Sequence, residues 1–456
     1  MLVSRLEKSL GIEVYATRSL GIGGVIKRFP EDFLVEEILV DGTRAEIHPK
    51  TITQIEESPI QRYLLCVLVK RSWDNLQAIR VIARNLGIKT RQISIAGIKD
   101  ANAVTAQHIT VESVTKEDLQ KIHVKDLEIH PIRYFNVKLS PHYLRGNHFK
   151  ITIRAINYSE KVTRNRISRI IKEIQALGGV PNFFGHQRFG TTRPITHLVG
   201  KALVKGDFHR AVMLFLAKPS PNEHPQSRKV REELWKTQDF KSALKSFPKS
   251  LHYEHFVLRH LVKRPKDYIG ALKRLPTKLQ VLFPQAYQAY LFNKILSRRM
   301  SQGLLINKAE IGDYVIEVEP SGNPNTLKYK MVSSENISEI NKAIANGRMA
   351  LAVPLAGFRQ TLSQGIQGEI ERTVLEEEGI SLQDFKIKKL PEISLKGELR
   401  AALARIKDFM LHEISKDETS HHKNRAVMSF MLYRGSYATI VLREIMKPRN
   451  LVKAGF

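Results

Sequence analysis

Between Gly146 and Gly179 the apolar period of the chain changes without a break. "GNHFKITIRAI" (Gly146 to Ile156) alternates apolar and polar residues, the period of a strand with a buried face. Over 160–177, Ile167, Ile170, Ile171, Ile174 and Leu177 recur at helical spacing, which predicts a helix with one buried stripe. Ser159 stands ready as its N-cap, and Gly178 with Gly179 as its stop. A strand that runs straight into an amphipathic helix buries both apolar faces only when helix packs on sheet. All-α and all-β architectures are thereby excluded.

The preceding residues keep that texture. "GVIKRFPEDFLVEEI" predicts two short strands around Pro30, "RYLLCVLVKR" a buried strand, and "RQISIAG" and "AQHITV" two more. Asp74 can cap a helix whose apolar positions are Leu76, Ile79, Ile82, Ala83 and Leu86, with Gly87 ending it. Thr115 opens another helix, and "KDLEIHPIRYFNVKL" is again strand-like. From about residue 190 the pattern turns helical and basic, with "QAYQAYLFNKILSRRM" a clear helix; 310 to 390 mixes short strands and helices. "NRAVMSFMLYRGSYATIVLREIM" then returns to a strand, a turn, and a strand or helix. A sheet, a different middle and a final strand set suggest one domain inserted into another.

Charge narrows the partner. The formal net charge is +28, which calls for a polyanion, and nucleic acid is the usual one. From Pro141 to Met300 there are 31 Lys and Arg against 9 Asp and Glu, whereas the rest of the chain has 42 against 36. Solubility alone needs no such unevenness. Arg164 and Arg169 fall off the buried stripe of the predicted helix, on faces that water or RNA could share. Cys66 is the only cysteine, so no intrachain disulfide forms and a reducing compartment is expected. No signal-peptide core opens the chain, and its apolar runs, such as "LLCVLV", are too short to span a bilayer. A soluble, intracellular protein is expected, with no membrane association and no obligate protein partner evident.

Two stretches could carry chemistry. Asp100, in "QISIAGIKDANAVTAQHITV", is the only acid between Asp74 and Glu112. It follows a strand and is flanked by Ala96, Gly97, Ala101, Ala103 and Ala106, small residues that let a ligand approach. Taken alone, it could equally be a loop aspartate that caps or turns. "PNFFGHQRFG" (Pro181 to Gly190) sets three phenylalanines around Arg188; it could stack a base and hold a phosphate, or form a hydrophobic elbow between domains. The histidines lack metal-ligand spacing, and no Walker motif, nucleophile elbow or zincin helix is present.

Six blocks in order resemble the tRNA pseudouridine synthase D (TruD) family: "IKRFPEDFLVEE", "AGIKDANAVTAQ", "LRGNHFKITIR", "GGVPNFFGHQRFG", "QAYQAYLFN" and "FMLYRGSYATIVLRE". The similarity runs from about Tyr15 to Lys447. It implies an α/β (α+β) chain: a pseudouridine synthase catalytic domain with a mixed, mainly antiparallel sheet and flanking helices, formed by 1–181 and 396–456. A basic, RNA-binding TRUD domain is inserted over 182–395. Asp100 matches the catalytic nucleophile, and Phe33, Asn147 and Phe430 match substrate-contacting positions. Lys27, Glu31, Lys99 and Phe149 lie in the same blocks and are expected to shape the site. Ala101 stands where the family usually has a basic residue, and Tyr433 where a proline is typical.

The implied activity is isomerisation of uridine to pseudouridine in tRNA, at position 13 in the D-arm, by a cytoplasmic enzyme. The reaction detaches uracil from ribose, rotates it and rejoins it through carbon. It loses no group and changes no oxidation state, so no cofactor and no metal is expected. Lys99 or another cation is expected to keep Asp100 ionised. The rivals are a non-catalytic RNA-binding or RNA-folding protein, which would not need Asp100, and a metal-dependent nuclease, which would want clustered carboxylates.

Overall fold

The computed structural model describes residues 2–49, 62–190 and 192–456. Six strands come first: β1 (Phe33–Leu39), β2 (Tyr63–Arg71), β3 (Ile93–Ile95), β4 (Val104–Glu112), β5 (Leu127–Phe135) and β6 (Leu144–Ile156). A long helix, Glu160–Leu177, leads to a two-residue strand, β7 (Val180–Pro181). Helices follow, and then a four-stranded sheet of β8 (Tyr314–Val318), β9 (Pro324–Met331), β10 (Met349–Leu355) and β11 (Glu398–Ala401). β12 (Leu403–Ala404) pairs with β7, so the excursion leaves and returns at one place. β13 (Ile406–Lys416) and β14 (Asn424–Tyr433) complete the first sheet, in the order β13-β14-β6-β1-β4-β2-β5 with β3 on β4. Only β1 and β4 run parallel; every other pairing in this sheet is antiparallel.

Local chemistry sets the boundaries. The helix Glu160–Leu177 begins where Ser159 Oγ accepts from Val162 N–H at 3.4 Å. It ends at Gly178, whose φ of +85° is left-handed backbone that suits glycine. Its isoleucines 167, 170, 171 and 174 are buried as the spacing required. Asp74 caps the helix Asn75–Asn85, accepting from Leu76 and Gln77 N–H at 3.0 Å. Gly146 permits a close strand approach, because a Cβ there would sit 2.1 Å from the Leu432 carbonyl oxygen.

Two expectations change. Pro30 begins a short 3-10 turn, and Asp32 accepts from Phe29 N–H at 3.0 Å and from Arg154 Nε at 2.7 Å. These bonds replace a ladder, so only β1 forms, and Val25 makes a single bridge to Arg154. The excursion also extends past Leu395, because β11 belongs to the second sheet. After β14 the chain forms a helix, Ala438–Met446.

The largest apolar cluster is continuous from the first sheet (Phe33, Ile151) through Phe184 and the helix Thr277–Ser301 (Phe292) to Val353. Asn293, fully buried, clamps this seam. It donates to the carbonyls of Leu10 and Phe184 and accepts from Phe184 N–H at 2.8 Å. Among the described residues, no helix is long and apolar enough to cross a membrane.

Candidate active site

The register between β1 and β6 sets Val35 opposite Phe149 and Glu37 opposite Asn147. Because side chains alternate across a strand, Phe33, Val35, Asn147 and Phe149 share one face. They floor a cavity of about 440 Å³. One wall is the loop 96–103 between β3 and β4, which contributes Ile98, Lys99, Asp100 and Ala101; Asp74 lies beside it. The other wall is Ser436 to Thr439, where the C-terminal helix begins, together with Gln187, whose Oε1 accepts from Thr439 Oγ1 at 3.3 Å.

The Asp100 carboxylate is accessible and, among the described residues, singly paired. Its side chain is 35% exposed, and Oδ1 lies 3.5 Å from Lys27 Nζ. That ammonium sits 4.3 Å from the centroid of the Phe33 ring, on backbone with φ +56°. A charge held against an aromatic face keeps its attraction for a carboxylate while presenting little flexible chain to the cavity. Left-handed backbone at a non-glycine residue is strain of the sort concentrated at functional sites.

The backbone beneath Asp100 is fixed by a different lysine. Lys70 Nζ, fully buried, donates to the Asp100 carbonyl at 2.7 Å and to the Trp73 carbonyl at 2.8 Å. Burial pushes this ammonium down to about 8, against the opposing pull of Asp100 and Asp74. Lys99, the expected support of Asp100, is engaged elsewhere: its ammonium is 2.5 Å from Glu37, and both side chains are buried. Burial works against ionisation of Glu37, but the Lys99 charge and the His108 contact outweigh it and hold the carboxyl below its ordinary range. The cation facing Asp100 is therefore Lys27.

Asn147 Oδ1 is buried in the floor with no hydrogen-bond partner among the described residues. An orphaned amide oxygen costs roughly 1–3 kcal/mol, and a ligand N–H would remove that cost.

The sequence-derived residues divide accordingly. Phe33, Lys99, Asp100, Asn147 and Phe149 line the cavity, and Lys27 reaches Asp100. Phe430 does not line it. Phe430 is fully buried, its centroid 5.7 Å from Phe149 and 6.4 Å from Phe409, so it backs the floor. Glu31 is outside, paired with Arg71. Arg164 pairs with Glu160 on its own helix at 2.8 Å, and Arg169 is exposed on that helix away from the cavity. Arg188 opens onto a neighbouring cavity. Phe183, Phe184 and Phe189 are buried and none lines the Asp100 cavity, so "PNFFGHQRFG" is an apolar elbow, with Phe184 alone of the three meeting the neighbouring cavity. Among the small flanks of Asp100, Ala96, Ala103 and Ala106 are core packing and only Ala101 meets the cavity.

Lys70, Ile98, Gln187 and Tyr437 escaped sequence reasoning. A lysine ending the apolar run "LLCVLVK" was the available signal for Lys70, since a buried cation must find partners. Ile98, 73% exposed at the lip, gave none. No group of three or more His, Cys, Asp or Glu able to hold a metal occurs among the described residues. Asp74 does share the cavity with Asp100, but its Oδ1 is committed to the helix cap.

Comparison with known proteins bears on this geometry. Residues 9–445 match the family described as tRNA pseudouridine synthase D (TruD). The chain is 40% identical over 451 residues to the probable tRNA pseudouridine synthase D of Methanosarcina mazei, covering 99% of each chain. To the relative of the same name in Thermococcus sibiricus it is 35% identical over 439 residues, covering 95% of this chain and 97% of the relative. A crystal structure of a Methanosarcina mazei chain, described as the "Putative tRNA pseudouridine synthase D (TruD)", superposes with a TM-score of 0.82 at 40% identity. That match covers 99% of this chain and 100% of the other.

Proposed function

The chain belongs to the tRNA pseudouridine synthase D family, and from that premise we propose that it isomerises uridine to pseudouridine at position 13 in the D-arm of tRNA, with Asp100 as the nucleophile. The observation that carries this reading is the Asp100 carboxylate, one-third exposed at a cavity floored by Phe33, Phe149 and Asn147. The substrate base leaves its stack at a cost of a few kcal/mol. Phe33 and Phe149 offer it apolar contact in return, and the vacant Asn147 Oδ1 is an acceptor for a uracil N–H. Asp100 acts at the anomeric carbon as the bond to N1 breaks and positive charge develops there. The uracil turns, C5 bonds to that carbon as the Asp100 carboxylate leaves it, the C5 proton is released, and N1, freed of its glycosidic bond, gains a proton. Lys27 Nζ, 3.5 Å from Oδ1, holds the carboxylate in position.

We assign the catalytic unit to the strands of the first sheet, 1–181 with the return after Ala401, and RNA binding to the inserted region between them. Its pairing of β7 with β12 supports that division. Arg164, Arg169 and Arg188 are assigned to the RNA backbone, and the reaction to the cytoplasm. Pseudouridine mapping of unmodified tRNA incubated with the protein tests the reading. One new pseudouridine, at position 13, is expected; none in any tRNA would overturn it.

Lys70 adds a pH signature. Below about pH 8 it is charged and holds the Asp100 and Trp73 carbonyls; above that the folded protein loses the proton. Bonds to a charged donor are worth about 1.5–3 kcal/mol each. Lys70→Met should therefore lower single-turnover rates roughly 10- to 100-fold, and the wild-type profile should fall above about pH 8. The same fall in Lys70→Met would remove Lys70 from the account. For stability the sign is opposite. Between about 8 and the ordinary lysine value the unfolded chain holds a proton that the folded chain lacks, so rising pH favours folding.

A further inference from the structure

A second cavity, also of about 440 Å³, lies back to back with the first. Consecutive residues form the partition: Gln187 faces one cavity and Arg188 the other, as do Ser436 and Gly435. The second cavity opens where the inserted region meets the first sheet, between Gln285 and Gln288 of the long helix Thr277–Ser301 and the segment Glu398–Ala401.

Its lining contains three guanidinium groups, Arg188, Arg400 and Arg434, and none of them has a carboxylate within salt-bridge distance among the described residues. Glu398 is the single acid in the lining and leaves a net positive site. Arg400 is built in. It donates to Asn182 Oδ1 and to the Gly435 carbonyl, each at 2.8 Å, and lies 4.0 Å from the centroid of the Phe184 ring. Burial and the neighbouring Arg188 push it down to about 10. Among the described residues, Arg188 Nε is buried with no hydrogen-bond partner, and its Nη2 has only Gln285 Oε1 at 3.3 Å. Arg434 donates to the Pro141 carbonyl at 3.1 Å. Like charges held together with an unpaired donor are unfavourable in the free protein. An anion would relieve both, and a planar guanidinium backed by an aromatic ring is a surface on which a base stacks.

We propose that this cavity is a second nucleotide subsite, holding a phosphate and base of the RNA that flank the extruded target uridine. It rests on the functional reading above, since the shared partition places it within one step of the target pocket. RNA is favoured over a free nucleotide because the two cavities lie on either side of one thin partition, so neighbouring nucleotides of a single strand can occupy both.

The test uses the full chain and a D-arm RNA carrying single methylphosphonate linkages, moved along positions on both sides of the target. Binding is followed by anisotropy and turnover in parallel. In wild type, neutralising one flanking phosphate should weaken binding about tenfold. Arg188→Gln with Arg434→Gln should weaken binding of the unmodified RNA by a similar factor. That double variant should also reduce the salt slope by about 1 to 2 and abolish the positional sensitivity. Unchanged affinity and slope in the double variant, or sensitivity persisting at the same linkage, overturns the subsite. If the double variant does not fold, the wild-type scan decides, and a flat profile near the target is the negative result. A wild type that binds but isomerises nothing sinks the functional reading instead, while the binding arm still judges the subsite. A free nucleotide that competes as well as RNA would refute RNA as the occupant.

Discussion

Asp100→Asn should abolish isomerisation, with turnover at least about 10⁴-fold lower, while tRNA affinity stays within a few-fold. A carboxamide is isosteric but can neither attack an anomeric carbon nor offset positive charge there. Loss of a group in that position costs about 10⁴-fold or more in enzymes where the measurement exists, which corresponds to roughly 5 kcal/mol of barrier. Folding should be spared for a specific reason. The loop is held through the Asp100 carbonyl, which Lys70 grips at 2.7 Å, and among the described residues the carboxylate contributes only the 3.5 Å contact with Lys27. Removing one negative charge from a site for a polyanion also gives no reason for weaker binding. Tritium release from C5-labelled RNA measures turnover, and anisotropy measures affinity. Retained release would overturn the assignment. Loss of both activities together would point to misfolding, which circular dichroism detects. The same pair of measurements rejects a purely RNA-binding role, for which Asp100 would be dispensable.

What the sequence disclosed follows from which forces act locally. The Glu160–Leu177 helix was legible because its cap, stripe and glycine stop are all encoded within some twenty residues. The Asp74 cap was legible for the same reason. Asp100 became readable through its resemblance to a family block, not through spacing. The identity of its cation was not: Lys99 is adjacent in the chain yet turns to Glu37, and Lys27 arrives from a separate segment. Phe430 illustrates the converse. It sits in register with Phe149 across β14 and β6, but the packing of Phe149 and Phe409 around it decides that it is core. Burial of that sort is a tertiary property, and no local pattern encodes it. The phenylalanines of "PNFFGHQRFG" are ambiguous from composition for the same reason: what fixes the elbow is Asn293, which clamps it from a distant helix.

Arg443→Met should be the most damaging change outside the cavity, lowering stability by about 3–5 kcal/mol, because it strands two buried carboxylates. Arg443 is fully buried. Its Nε donates to Glu7, its Nη1 to Glu444 at 2.8 Å, and its Nη2 to the Val14 carbonyl at 2.8 Å. Glu444 in turn accepts from Thr17 N–H at 3.0 Å and from its hydroxyl at 2.8 Å, so one ion cluster ties the N-terminal segment to the C-terminal helix. His186, 3.9 Å from Glu7, cannot replace the missing charge, because burial pushes it down to about 4 and keeps it neutral near pH 7. The helix that carries Arg443 begins at Ala438, and Ala438 and Thr439 line the cavity. Turnover should therefore fall along with stability, even though Arg443 meets no substrate. Adding Glu7→Gln and Glu444→Gln to Arg443→Met removes the stranded charges and should recover part of the loss. Chemical denaturation of wild type, single and triple variants measures both steps. Should the triple variant prove no more stable than Arg443→Met alone, lost packing, not unpaired charge, would account for the damage, and the cluster would lose its electrostatic role.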